Sequence, residues 1–114
     1  MSPDRTVTYR ELHALVGGCA EWLRSLGVER GERVGVSIAD GLTHFVVALG
    51  LATLGASHAP LATHDASPAR ARFAARTGVR RVVAAHPDHA LPGLELVTVD
   101  ADRMAAWARR KRSQ

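Results

Sequence analysis

The chain has 114 residues, of which 46% are hydrophobic and 23% charged, and these values suit one globular domain with a modest core. Basic residues number 15 against 11 acidic ones, but four of the basic side chains stand together at Arg109-Arg110-Lys111-Arg112. The rest of the chain is electrostatically balanced and only 4% of all residues are aromatic, which argues against a nucleic-acid-binding platform. We therefore predict a single unit over residues 1–114, with a basic C-terminal helix or tail over residues 102–114.

The first residues and the cysteine content indicate the cellular compartment. No apolar run is long enough to cross a bilayer, and the first five residues lack the charged and apolar regions of a secretory signal. The single cysteine, Cys19, excludes an internal disulfide and fits a reducing environment. The sequence accordingly predicts a cytoplasmic protein without a membrane span.

A capping box at Thr8 and Glu11 begins the first predicted helix, and Gly27 ends it in the left-handed conformation. Apolar residues recur at helical spacing in between: Leu12, Leu15, Val16, Cys19, Leu23 and Leu26. Gly17-Gly18 inside this helix is unfavourable by about 1 kcal/mol per glycine relative to alanine. The pair indicates either close packing against another element or a tolerated weakness.

Residues 33–61 predict a strand, a helix and a second parallel strand, which together form a βαβ unit. The helix, Leu42–Leu54, is apolar nearly all round, so we expect it to be covered on more than one side. The flanking strands are predicted at Arg33–Ile38 and Ser57–Leu61. Asp40 is interpreted as the N-cap of the helix, with a ligand-binding role at the carboxyl end of the strand as the less favoured alternative.

The second half of the chain continues the alternation of helix and strand. Its predicted elements are a helix at Pro68–Thr77 with Ser67 as N-cap, strands at Arg81–Ala85 and Leu94–Val99, and a last helix that Asp100 or Asp102 caps. This order predicts an α/β fold, with an open, mostly parallel sheet of about four strands and helices on its faces.

No stretch has the pattern of a phosphate-binding or catalytic motif. Ala39-Asp40-Gly41-Leu42 is not G-x-G-x-x-G, and the only lysine, Lys111, does not lie in a G-x-x-x-x-G-K-[ST] loop. His86-Pro87-Asp88-His89 has the spacing of a metal-binding pair, but no second pair at zinc spacing accompanies it. His64-Asp65 could orient a general base, but no nucleophilic elbow accompanies it.

Three further side chains are interpreted as structural. Cys19 lies on the apolar stripe of the first helix, where a buried thiol behaves as a small hydrophobe. His58 is expected to be a packed residue of its strand, and Trp107 is interpreted as part of a solvated helix end together with the basic tail. The residues by themselves therefore predict no catalytic, cofactor-binding or metal-binding side chain.

Several short motifs in order resemble the N-terminal part of the adenylate-forming (AMP-binding) superfamily, which includes acyl-CoA synthetases and the adenylation domains of peptide synthetases. The motifs are T-Y-R-E-L at 8–12, L-R-S-L-G-V at 23–28, R-G-E-R-V at 30–34 and L-A-T-L-G-A-S-H-A-P-L at 51–61. The match covers residues 7–85 and extends less closely to Val99. The chain departs from the family pattern at two places: Ala39-Asp40-Gly41 replaces a proline-asparagine turn, and His58 replaces an aromatic or aliphatic residue.

The resemblance implies ATP-dependent activation of a carboxylic acid as an acyl-adenylate and transfer of the acyl group to a thiol. ATP and Mg²⁺ are the cofactors implied for the full-length family. The family's phosphate loop, ribose-binding aspartate and C-terminal lysine belong downstream of the matched region, so no catalytic residue is carried over. Gly55 and Pro60 match the family in a structural role. We therefore expect this chain alone to be inactive.

Three interpretations follow. In the first, the chain is an N-terminal fragment of an acid–thiol ligase that binds the remainder of the ligase, or self-associates, through its apolar helix, with Phe45, Val46 and Leu49 in or beside the contact. In the second, it is a stand-alone, non-catalytic interaction or regulatory module derived from the same fold. In the third, which the charge balance disfavours, Arg109–Arg112 contacts nucleic acid or a membrane surface.

Overall fold

The computed structural model describes residues 7–61, 67–87, 91 and 93–109. The helices and strands of this part of the chain occur in the order that the sequence predicts, and each observed strand lies within one residue of its predicted ends. The elements are α1 (Tyr9–Ser25), β1 (Arg33–Ser37), α2 (Gly41–Thr53), β2 (Ser57–Pro60), α3 (Ser67–Thr77), β3 (Arg81–Ala84), β4 (Glu95–Thr98) and α4 (Ala101–Ala108).

The four strands of the described region form one parallel sheet in the order β2-β1-β3-β4. β1 is central, with Val34 opposite His58 of β2 and Gly35 opposite Val82 of β3. Side chains of a strand point alternately to the two faces of the sheet. Val34 and the other large residue of β1, Val36, therefore share one face, and Gly35 points to the other. The predicted open, parallel sheet is confirmed.

The two faces of the sheet are covered unequally. Helices α1, α2 and α4 lie on one side, here called the three-helix face, and α3 lies on the other, here called the single-helix face. The core of the three-helix face is large: Leu15, Cys19, Leu23, Val28, Val34, Val36, Ile38, Val46, Val47, Leu51, Ala56, Val83, Val99, Met104 and Trp107. The core of the single-helix face is smaller: Ala59, Leu61, Ala74, Val79, Val82, Ala84 and Leu91.

The ends of α1 have the predicted local structure. The Thr8 hydroxyl accepts from the Glu11 amide at 3.1 Å, and the Glu11 carboxylate accepts from the Thr8 amide at 2.9 Å, which completes the capping box. Gly27 has a φ of 93°, a conformation that side chains with a Cβ rarely adopt. The Val28 amide then donates to the Leu23 carbonyl at 3.2 Å, as in a Schellman motif.

Glycines allow α1 to approach both neighbouring helices closely. A Cβ atom on Gly18 would lie 2.8 Å from the Cβ of Trp107 in α4. A Cβ atom on Gly50 of α2 would lie 2.9 Å from the Sγ of Cys19 in α1. Both distances are shorter than real Cβ contacts, so alanine at either site would push two helices apart. Of the two interpretations of the glycine pair, close packing is therefore correct for Gly18.

The interpretation of Trp107 as part of a solvated helix end is wrong. Its side chain is only 5% exposed and packs against Trp22 of α1, with ring centroids 5.4 Å apart and planes tilted by 53°. The guanidinium of Arg103 lies 4.6 Å from the Trp22 ring centroid, within cation–π distance. Helix α4 begins at Ala101, and the carboxylate of the preceding Asp100 accepts from the Arg103 amide at 2.9 Å. Asp100 and not Asp102 is therefore the cap.

Two expectations about α2 and α3 are also changed. Val46 is fully buried in the core of the three-helix face, so its side chain cannot contact another polypeptide directly, and its place beside such a contact stays a prediction. Phe45 and Leu49 do reach the outer side of α2. Helix α3 begins at Ser67 itself, and the side chain of Ser67 lies outside the described residues, so the cap stays a prediction.

Candidate functional site

The carboxyl ends of β1, β3 and β4 meet at one edge of the sheet. Helices α2 and α4 begin there because each follows a strand, and α1 begins there because it runs antiparallel to the strand that it precedes. After β1 the chain continues to β2, which pairs with β1 on one side. It then crosses to β3, which pairs with β1 on the other side. In open α/β sheets, such a reversal of strand order leaves a crevice in which ligands commonly bind. A cleft of about 580 Å³ lies at this edge.

The cleft has an apolar floor and a polar rim. The floor consists of core side chains and alanines: Val7, Leu15, Ile38, Ala85, Val99, Ala101, Met104, Ala105 and Ala108. The rim consists of Glu11, Asp40, Thr43, His86 and Asp100. An apolar cavity with a few polar groups at its mouth is the usual form of a small-molecule site, so this cleft is the candidate site of the chain.

Each carboxylate of the rim accepts a hydrogen bond from a helix N-terminus. Asp40 accepts from the Thr43 amide at 2.8 Å and from the Thr43 hydroxyl at 2.6 Å, which confirms its interpretation as the N-cap of α2. Asp100 and Glu11 serve α4 and α1 in the same way, as described above. Negative charge is favourable at these positions because the helix dipole is positive there. Helix capping therefore explains why the rim is acidic.

The charge of this rim is unfavourable for a nucleotide. Among the described lining residues, the cleft has three carboxylates and neither arginine nor lysine. Phosphate groups in proteins are usually held by backbone amides of glycine-rich turns or by basic side chains. A triphosphate placed in this cleft would instead approach Glu11, Asp40 and Asp100. The described residues therefore do not fit ATP.

Cys19 is confirmed as a structural thiol. It is fully buried between α1 and α2, and burial raises the pKa of the thiol to about 12. The thiolate, which is the nucleophilic form, is therefore almost absent at neutral pH. Cys19 has neither the exposure nor the ionisation of a reactive cysteine.

The histidines singled out from the sequence do not converge on the cleft. His86 lies on the rim and is exposed, whereas Asp88, His89 and the pair His64-Asp65 lie outside the described residues. Within the part of the chain that the structure describes, no three His, Cys, Asp or Glu side chains form a group that could hold a metal ion. No described helix is long and apolar enough to cross a membrane.

His58 differs from its expected role as a packed residue, because it is exposed on the edge strand β2. Its ring meets that of His44 edge-on, with centroids 5.6 Å apart and planes at 80°. The Nδ1 of His44 lies 3.2 Å from the Ile38 carbonyl, to which a protonated Nδ1 donates. Partial burial, and secondarily the nearby His44, lower the pKa of His58 below its ordinary 6.5. Neither ring lines the cleft.

The cleft was not predictable from any single stretch of the sequence. Its acidic side chains are far apart in the chain, and only the order of the strands brings them to one edge. One signal was available: Asp40 and Asp100 each stand directly between a strand and a helix. In a parallel sheet, residues in that position lie at the same edge.

Comparison with known proteins places the chain in a family. The sequence pattern of the family described as AMP-binding enzyme matches residues 1–112. The long-chain-fatty-acid–CoA ligase FadD13 of Mycobacterium tuberculosis is 29% identical over 101 residues, which are 89% of this chain and 20% of the ligase. The propionate–CoA ligase of Escherichia coli is 44% identical over 55 residues, which are 48% of this chain and 9% of that enzyme. The chain thus spans about a fifth of FadD13.

Solved structures show the same fold. The N-terminal subdomain of NpsA from Klebsiella oxytoca superposes with a TM-score of 0.82 at 18% identity, over 98% of this chain and 29% of that one. The N-terminal domain of FACL13 from Mycobacterium tuberculosis superposes with a TM-score of 0.73 at 26% identity, over 90% of this chain and 28% of that one. The resemblance noted in the sequence is confirmed: the chain belongs to the AMP-binding enzyme family and corresponds to the N-terminal part of its adenylate-forming members.

Proposed function

We propose that this chain is the N-terminal portion of an ATP-dependent acid–thiol ligase, which activates a carboxylate as an acyl-adenylate and then transfers the acyl group to a thiol. The observation that carries the proposal is the family match over residues 1–112 in a chain that spans only 20% of its relative FadD13. Two relatives are named as CoA ligases, one for long-chain fatty acids and one for propionate.

In this proposal, residues 1–114 form one α/β unit that acts as a scaffold, and the chemistry belongs to other parts of a longer polypeptide. The acidic cleft supports this division. Glu11, Asp40 and Asp100 each accept a hydrogen bond at a helix N-terminus, and together they repel a polyphosphate. ATP and Mg²⁺ would therefore be held by the rest of the ligase, and this chain would bind that polypeptide as its partner.

Exchange of pyrophosphate into ATP tests the proposal, because this exchange reports acyl-adenylate formation without a thiol. We expect the purified chain to show no exchange above a heat-denatured sample with either propionate or a long-chain fatty acid. FadD13 under the same conditions is the positive control. Exchange by the chain itself would show that residues 1–114 contain the adenylation chemistry and would contradict the scaffold role.

The coding sequence beyond Gln114 provides the complementary test. We expect the reading frame to continue into a Ser/Thr/Gly-rich loop and a C-terminal lysine, and the longer polypeptide to catalyse exchange. A frame without these features would contradict the ligase and would favour the stand-alone module.

A further inference from the structure

The outer side of the three-helix face carries an unusual apolar surface. Tyr9 and Phe45 are the large hydrophobic side chains that are most exposed in the described residues, at 93% and 50%. Beside them lies a groove of about 440 Å³ between α1 and α2. We call it the α1/α2 groove, and its lining residues are Tyr9, Arg10, Leu12, His13, Val16 and Leu49.

Helix α1 supplies this groove with the outer margin of its apolar stripe. Leu15, Cys19 and Leu23 point into the core of the three-helix face and are buried. Leu12 and Val16 lie beside that stripe and are only partly buried. A helix on the surface of a globular domain typically has one apolar stripe, with polar residues opposite. Part of the apolar stripe of α1 therefore remains uncovered by the described residues and is available to another packing partner.

Helix α2 points to the same conclusion. It contains no charged residue between Gly41 and Thr53, and its solvent side presents Phe45 and the half-buried Leu49. The exposed positions of α3, in contrast, include Arg72 and Arg76. A helix that is apolar all round is normally buried on all sides. The sheet and α1 cover two sides of α2, whereas the described residues leave the side with Phe45 and Leu49 open.

We propose that the α1/α2 groove is the docking surface for the polypeptide that follows this chain in its longer relatives. This inference rests on the proposed function and names the surface through which that function is assembled. The matched region is 29% of the NpsA subdomain, so most of that subdomain lies beyond it and has to pack somewhere. Helix α4 lies beside α1 on the three-helix face, which is also the face that carries the groove.

The composition of the groove defines the chemistry of its occupant. Leu12, Val16 and Leu49 form an apolar floor, which suits a segment with aliphatic or aromatic anchors. Arg10 and His13 are the polar members of the lining and stand on one helix. A carboxylate beside the apolar anchors would match the charge of Arg10. The expected occupant is therefore an amphipathic segment with an acidic margin.

Thiol labelling can test the docking because the native cysteine, Cys19, is too buried to react readily. Cys19 is fully buried and its thiol is protonated at neutral pH, so a cysteine introduced at the surface will dominate the reaction. Leu49→Cys places a thiol in the groove. Arg72→Cys places one on exposed α3 as a matched control. Val16→Cys is the second groove variant, for use if Leu49→Cys fails to fold.

Each variant is labelled in the 114-residue chain and in the polypeptide expressed with the coding sequence beyond Gln114, and modified peptides are identified by mass. We expect the groove variants to react at least about tenfold more slowly in the longer polypeptide, because the thiol becomes accessible only by local opening. The Arg72→Cys control should react equally in both forms. Equal rates for the groove variants would overturn the docking.

Other occupants give distinct results. A disulfide-linked dimer of Leu49→Cys that forms in the longer polypeptide would identify a second copy as the occupant and would overturn the proposal.

Failure of the underlying function is separable from failure of the docking. A reading frame that does not continue into a ligase is seen in the DNA, before any labelling, and overturns both. A continuing ligase with an unprotected groove overturns only the docking.

Discussion

The two faces of one sheet are organised differently in this protein. On the three-helix face, α1 lies between α2 and α4 and approaches both through glycines, with distances that leave no room for a methyl group. On the single-helix face, α3 covers a cluster of alanine, valine and leucine side chains. The central strand β1 shows the same difference. Its large residues Val34 and Val36 point to the three-helix face, and Gly35 points to the single-helix face.

This difference indicates where the stability of the chain resides. Burial of large apolar side chains and close helix packing both favour the folded state, and both are concentrated on the three-helix face. The small side chains of the single-helix face bury less area each. We therefore expect that face to be the first to open in local fluctuations, and the following substitutions test this expectation.

Matched leucines should show the largest effect. Leu23→Ala removes a fully buried side chain from the three-helix face, and Leu61→Ala removes a buried one from the single-helix face. We expect Leu23→Ala to lower the free energy of unfolding by roughly 2–5 kcal/mol, and Leu61→Ala to lie at the lower end of that range. Urea unfolding followed by the fluorescence of Trp22 and Trp107 measures both. A nearly neutral Leu23→Ala would show that the main core lies elsewhere.

Matched glycines should show an intermediate effect. In Gly18→Ala the new methyl group meets the Cβ of Trp107 at 2.8 Å, and a Cβ moves only if the backbone of α4 moves. In Gly35→Ala the nearest atom is the Cδ1 of Leu61 at 3.1 Å, which is the end of a flexible side chain. We expect Gly18→Ala to destabilise the protein by about 1–3 kcal/mol in spite of the better helix propensity of alanine.

Gly35→Ala serves as the control for Gly18→Ala and should lie within about 1 kcal/mol of the wild type. Thermal unfolding compares the two variants directly, and only Gly18→Ala should also change the tryptophan emission, because it displaces Trp107. Equal stability losses would show that the two faces are packed with similar tightness.

The pH dependence of stability should show the smallest effect, at the edge of the three-helix face. Because the pKa of His58 is lowered in the folded state, the unfolded chain binds more protons around and below pH 6.5. Stability therefore falls as the pH drops through that range. The partial exposure of His58 keeps the change small.

His58→Gln tests this effect because glutamine has a side chain without a titrating group. We expect the difference in urea midpoint between about pH 7.5 and about pH 5.5 to be smaller in His58→Gln than in the wild type. An unchanged difference would show that other groups control the pH dependence.

Much of the local structure was predictable because it depends on neighbours in sequence. The capping box of Thr8 and Glu11, the cap at Asp40 and the left-handed Gly27 each arise from contacts within about one helical turn. The burial of Cys19 followed from its place on the apolar stripe. The resemblance to adenylate-forming enzymes was recognisable for a related reason, since its motifs are short and occur in a preserved order.

The features that were missed depend on elements far apart in the chain. Trp107 was interpreted as solvated because a basic tail follows it, and its burial depends on a gap that Gly18 leaves on α1. The candidate cleft was missed because its acidic rim comes from three separate helices. Val46 and Phe45 are adjacent and similarly hydrophobic, yet one is fully buried and the other half exposed.

The sequence by itself determined the class of fold, the order of the elements, the helix caps and the family, since each is encoded in local patterns of side chains. Only the tertiary structure decided which strands are neighbours, which face of the sheet each helix covers and which apolar residues remain outside. The physical reason is that hydrophobic burial is non-directional: an apolar side chain favours removal from water but does not specify the surface that removes it. In this chain, apolar surface remains exposed at and beside the α1/α2 groove.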